Sequence, residues 1–343
     1  MTNPLSDYFR KPETTVVLPA GKWYKDGDIE FTSLNEVPVY SMLPADEIMM
    51  INPEALVSGV AIVEVLKSCC PAVKNPNRLF YPDVNAILLG IQRATHGSKI
   101  VQKAYCPKCQ EKKNSIIINR IEEIIKEEKI DVQKATQAEG INLRKRAEND
   151  VAEKLSEMIK NNEIEDLPVE TVYSYDSLVA QTKMLPDEKT VEVNGLKLYC
   201  SPFRLEDKVK FVNLELKQNR IMKEYQSHTE NQDFIGDEYL NTIENLMNQY
   251  KELSGMSIDT LSSAILKIAL PDGSEVNDST YIREYLHQLS LQDLNMIRDV
   301  VRELTGTGVP EMLEYECPVC GHKWESKFNG YNQSDFFGIG SEN

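Results

Sequence analysis

The chain has 343 residues, enough for two or three domains with a hydrophobic core. Hydrophobic residues make up 41% and charged residues 27%, with a formal net charge of −16, so phosphate backbones and anionic lipid repel it unless a local basic patch intervenes. No basic run is long enough to supply that patch, no apolar run reaches the roughly 20 residues of a membrane span, and the polar start MTNPLSDYFRKPETTVV is unlike a signal peptide; the expectation is a chain in a reducing cytosol, where paired thiols hold metal more often than they form disulfides.

In chain order, residues 1–35 read as an N-terminal arm. VPVYSMLPADEIMMI (37–51) reads as a strand leading through the acidic pair Asp46–Glu47 into a helix, with the acidic pair capping the helix start and meeting its dipole. Cys69 and Cys70 in VLKSCCPAV read as small buried hydrophobes. DVNAILLGIQRATHG (83–97) has the apolar spacing of a helix, ended by Gly97. AYCPKC follows, and NSIIIN after it reads as a strand, which would put Cys106 and Cys109 at a hairpin tip. RIEEIIKEEKI and INLRKRAENDVAEKLSEMIK read as two helices with charged faces, interrupted by Gly140, and residues 167–190 as a linker with turns. KTVEVNGLKLYCS reads as a hairpin on Asn194–Gly195, with Cys200 another buried hydrophobe.

The rest of the chain repeats this order. LKLYCSPFRLEDKVKFV (196–212) again leads from a strand through an acidic pair, Glu206–Asp207, into a helix, and LKIALP (266–271) matches LKSCCP (66–71). DLNMIRDVVRELTGTG (293–308) matches DVNAILLGIQRATHG: Asp83, Asn85, Ile87 and Thr95 fall against Asp293, Asn295, Ile297 and Thr305, and Val84 and Ile91 against Leu294 and Val301. From aspartate to first cysteine is 23 residues in one copy and 24 in the other. This is the signature of an internal duplication, with a helical hairpin inserted in the second copy at roughly 210–260. The expected fold is α+β and helix-rich, with two duplicated half-domains, 36–120 and 190–328, around a helical insertion and linker at 121–189, followed by an aromatic tail at 329–343.

ECPVCGHKWE (316–325) brings a second pair, Cys317 and Cys320, although 207 residues separate Cys109 from Cys317. Two cysteine-x-x-cysteine tips make one tetrahedral four-sulfur site of zinc-ribbon type, and four protein ligands leave no open position, so a single zinc per chain bound by Cys106, Cys109, Cys317 and Cys320 would be structural. Thiol redox chemistry expects one such pair at the start of a helix, which neither context suggests; His322 is expected at the edge of the site or on the surface. The duplication explains the distance: each half brings one knuckle to a shared axis, where the metal clamps the halves together.

No phosphate loop, dinucleotide fingerprint, nucleophile elbow or HExxH is present, and the four histidines are His96, His228, His287 and His322; no catalytic set is expected. The strand with acidic pair, the D-x-N-x-I helix ending in glycine, the CPxC knuckle and the terminal SDFF together resemble the baseplate hub family of contractile-tailed bacteriophages, most clearly over 190–338, more faintly over 36–120, and not over 121–189. The resemblance implies a non-enzymatic structural or assembly protein of the virion's tail baseplate, assembled in the host cytoplasm. It would bind other tail proteins and oligomerise within the baseplate, bind neither nucleic acid nor membrane, carry Cys317 and Cys320 as knuckle residues, and offer Phe336 and Phe337 as contacts. A zinc-ribbon factor associated with nucleic acid or a polymerase is the other reading, which the net charge opposes and which steep, salt-dependent DNA binding would favour.

Overall fold

A computed structural model describes residues 9–25, 27–52, 55, 58–128, 137–214, 216–217, 255–310 and 312–328. These form two compact units. One comprises Lys99–Ser174 and the described residues of Glu311–Asn329; the other holds the rest. The aromatic tail with Phe336 and Phe337, and the middle of the inserted hairpin, lie outside the described residues.

In the larger unit, strand β1 (Thr14–Val17) pairs antiparallel with β2 (Glu36–Val39), so the stretch read as an arm carries a core strand, with Val16 and Leu18 buried. Helices α1 (Pro44–Ile51), α2 (Val60–Cys69) and α3 (Tyr81–His96) follow. Every residue of α3 from Pro82 to Gln92 is buried, as its nearly continuous apolar sequence requires of a helix covered all round.

Further along, β5 (Lys189–Val193) and β6 (Leu196–Cys200) form the expected hairpin. Asn194 and Gly195 turn it with φ of 52° and 75°, the left-handed pair a two-residue turn needs. Residues 205–214 make helix α7 and 255–262 helix α8, with α6 (Tyr175–Ala180) preceding the hairpin. Strands β7 (Ile265–Ala269) and β8 (Glu275–Val276) extend the sheet in the order β5-β6-β7-β8. Helices α9 (Ser279–His287) and α10 (Leu291–Thr305) contribute Ile282, Leu286, Leu294, Ile297, Val301 and Leu304 to its core.

LKIA is therefore strand β7, whereas LKSC ends helix α2, so the expected match of LKIALP with LKSCCP fails. The β-branched residues Ile265 and Ile268 pair onto β6, and sheet packing outweighs the helical reading. A different register relates the two stretches. The Tyr40 N–H bonds the Cys69 carbonyl at 2.8 Å, and the Ser201 N–H bonds the Ala264 carbonyl at 2.8 Å. The Thr95 hydroxyl accepts the Met42 N–H at 3.0 Å and donates to the Ile91 carbonyl; the Thr305 hydroxyl accepts the Phe203 N–H at 3.0 Å and donates to the Val301 carbonyl. Asp46 accepts the Leu43 N–H and the Ser68 hydroxyl; Asp207 accepts the Arg204 N–H and the Ser263 hydroxyl.

In the smaller unit, β3 (Lys99–Ala104) pairs antiparallel with β4 (Val169–Ser174), so the stretch read as linker contains a strand, its half-buried Thr171 and Tyr173 alternating with exposed residues. Helix α4 (Pro107–Glu128) packs on α5 (Gln137–Lys160). They bury Ile117 and Ile124 against Ala147, Val151 and Leu155, with Ile121 and Leu143 half-covered. Gly140 lies inside α5 and not between helices. Arg120 crosses the pair to Asp150 at 3.0 Å and holds Glu123 on its own helix. The last element is the hairpin β9 (Met312–Glu316) with β10 (Lys323–Lys327), in register Trp324 opposite Tyr315.

Candidate metal centre

All four predicted ligands fall in the smaller unit, and the structure brings them together. The sulfurs of Cys106, Cys109, Cys317 and Cys320 lie within 4.8 Å of one another. Across the two knuckles, Cys106 is 3.6 Å from Cys320 and Cys109 is 3.8 Å from Cys317. Cys106, Cys109 and Cys317 are buried and Cys320 is half-buried. Four buried thiols converging on one point are a donor set for a soft metal ion, and this cluster could bind one.

The two knuckles are built differently, which corrects the expectation of two hairpin tips. Cys317 and Cys320 do occupy a hairpin tip. The Cys317 N–H bonds the His322 carbonyl, the Gly321 N–H bonds the Cys317 carbonyl, each at 2.9 Å, and Gly321 has φ of 64°, a conformation glycine adopts without strain. Cys106 and Cys109 instead sit at the start of α4. Pro107 opens that helix, where its missing N–H costs nothing. The isoleucines read as a strand continue it because Ile117, Ile121 and Ile124 recur at helical spacing. The helix start then points its free N–H groups and the positive end of its dipole at the sulfurs.

Backbone donors reach the sulfurs directly. The Cys109 N–H points at Cys106, the Glu165 N–H at Cys109, and the His322 N–H at Cys320. Burial pushes the Cys109 thiol up to about 12 and raises Cys106. At Cys320 burial also acts upward, but the His322 N–H and the neighbouring sulfurs outweigh it and lower the thiol. A buried cluster of this kind stays largely protonated by itself, and a bound cation would displace the protons.

His322 supplies carbonyl and N–H to the turn, and its ring stacks on Trp324 at 6.1 Å, which stacks on Tyr315 at 5.4 Å. The backbone of Glu165 was not legible as part of the site, since nothing in sequence ties it to a cysteine 56 positions away. Cys69, Cys70 and Cys200 are buried as expected, with burial raising their thiols to about 11, 12 and 12, which leaves them inert.

No helix among the described residues is long and apolar enough to cross a membrane. No curated protein and no solved structure matches the chain. A family model described as T4 bacteriophage base plate protein matches residues 46–193, somewhat under half of the chain. The matched stretch takes in the helical middle and the first knuckle and stops short of the second, the reverse of the coverage expected from the sequence motifs, because the short repeated motifs of the second copy carried that reading. The match supports a phage baseplate protein with a structural role in the tail.

Proposed function

We propose that the chain is a non-enzymatic structural component of the tail baseplate, built on a duplicated core and stabilised by one zinc ion held by Cys106, Cys109, Cys317 and Cys320. The match of residues 46–193 to the base plate family carries the baseplate reading. Purification of particles from cells producing the phage tests it: the chain should fractionate with tails or tail intermediates, and its absence from both would overturn the reading.

Zinc is favoured by the cluster's dimensions. A tetrahedral ion with sulfur at about 2.3 Å spaces its ligands about 3.8 Å apart, close to the 3.6 and 3.8 Å across the knuckles. All four ligands come from the protein, so the ion would add folding energy to the smaller unit, which is assembled from two distant chain segments. Such a site contributes on the order of 10 kcal/mol in small zinc modules.

The duplication is supported by the matched hydrogen bonds, in the register that places Asp46 with Asp207, Ser68 with Ser263, Cys69 with Ala264 and Thr95 with Thr305. In each copy the same polar atoms tie the strand end to two helices. The copies diverge after the knuckle, helix α4 in one and strand β10 in the other. The stripes of α4 and α5 are spent on each other. Partner binding by residues 120–166 therefore uses their outer charged faces, together with residues 210–260 and the tail.

A further inference from the structure

The duplicated register sets helix α1 beside helix α7 position by position: with Asp46 on Asp207, the stripe Pro44, Ile48, Ile51 falls on Leu205, Val209, Val212. The second stripe is covered. Leu205 is 1% exposed, and Val209 lies over the start of α2 at Gly59, where a Cβ would come within 2.5 Å of the valine and where φ is +76°. The first stripe is open, with Ile48 70% and Ile51 56% exposed.

The reciprocal surface is open too. With Cys69 on Ala264, the start of α2 (Val60, Ala61) corresponds to the start of α8 (Gly255, Met256). Ala61 is fully buried, whereas Met256 is 42% exposed. A Cβ on Gly255 would meet nothing nearer than the His287 ring at 4.0 Å. Met256 borders a groove of about 360 Å³ with Leu214 and Thr260. Within one chain, then, the second copy's helix stripe covers the first copy's α2 start, while the first copy's stripe and the second copy's α8 start are both unmet. They are the two sides of one contact.

We propose that copies of this chain associate head to tail, the Pro44, Ile48, Ile51 stripe of one lying on the Gly255–Met256 helix start of the next. This rests on the duplication reading. Two different patches meet, so the interface is heterologous and continues until a ring closes or a partner caps it. The stripe is short, so the association is weak in the isolated chain and is strengthened where copies are held close.

Sedimentation of the full-length chain over a range of concentrations tests it. Wild type should self-associate, and Ile48→Asp and Met256→Asp should each weaken association by about tenfold or more. An equimolar mixture of the two variants should recover a dimer that grows no further, because one intact stripe and one intact helix start remain. A wild type that stays monomeric, an association that survives either substitution, or a mixture that stays monomeric would each overturn the proposal. Circular dichroism and melting temperature check the fold, and Ile48→Ser and Met256→Ser replace any variant that melts early. Failure of the duplication reading shows separately, as unequal effects of matched substitutions at Thr95 and Thr305.

Discussion

Asp83 is fully buried, accepts the Ala20 N–H at 2.7 Å and the Tyr24 hydroxyl at 2.6 Å, and Tyr24 in turn accepts the Phe80 N–H. Burial raises its carboxyl from 3.8 to about 7, against the lowering effect of those two donors. The neutral form is therefore the one the fold favours, so its stabilisation is complete below about pH 3.8 and is lost as pH rises towards 7. Asp83→Asn should remove that dependence. Denaturant titrations from pH 4 to 7 should show wild type losing up to about 1.4 kcal/mol per pH unit relative to the variant, and parallel curves would refute the assignment. Thr95 and Thr305 each satisfy one backbone N–H that has turned away from a strand. Thr95→Val and Thr305→Val should each cost about 1–2 kcal/mol, with similar values, since each leaves one such donor without its acceptor. The identity of these threonines was legible in sequence as a repeated spacing. Their partners Met42 and Phe203 were not, because a hydrogen bond across 53 or 102 positions leaves no local pattern.

At the scale of elements, the knuckles join helix α4 to the β9–β10 hairpin inside one unit. Cys317→Ser or a strong chelator should therefore raise amide exchange in both 106–110 and 312–327 while leaving α3 and α10 protected. Exchange rising only in the hairpin would mean the two knuckles do not share an ion. Native mass spectrometry of fresh protein should find one zinc per chain, and two or none would sink the single-site assignment. The four cysteines were readable from the two CPxC motifs alone. The element following the first pair was misread because consecutive isoleucines fit both a strand and a helix face. Packing against Ala147, Val151 and Leu155 decides for the helix, and those residues lie 26 or more positions downstream of Ile121.

Across the whole molecule, the proposed partners meet surfaces outside the two cores. Removing residues 329–343 should leave zinc content and helicity unchanged while weakening assembly with other tail proteins in a reconstitution assay. Wild-type assembly by the truncated chain would exclude the tail, and loss of zinc or fold would make it part of the smaller unit. The division into units also recasts the metal's role. The expected clamp between an N-terminal and a C-terminal half becomes a clasp within one unit, whose chain leaves at Ser174 and returns only near Glu311.

Local chemistry determined much of this by sequence alone: the four thiol positions, the Asn194–Gly195 turn, the two D-x-N-x-I helices and the repeated threonines, since each depends on spacing within a few residues. Tertiary structure decided what depends on distant packing. It made the LKIA segment a strand by pairing it with β6, drew β1 into the core, and chose Cys69 with Ala264 as the true register of the repeat. It also buried the α7 stripe while leaving that of α1 open, because burial is a property of what lies opposite a side chain and the residue itself does not encode it.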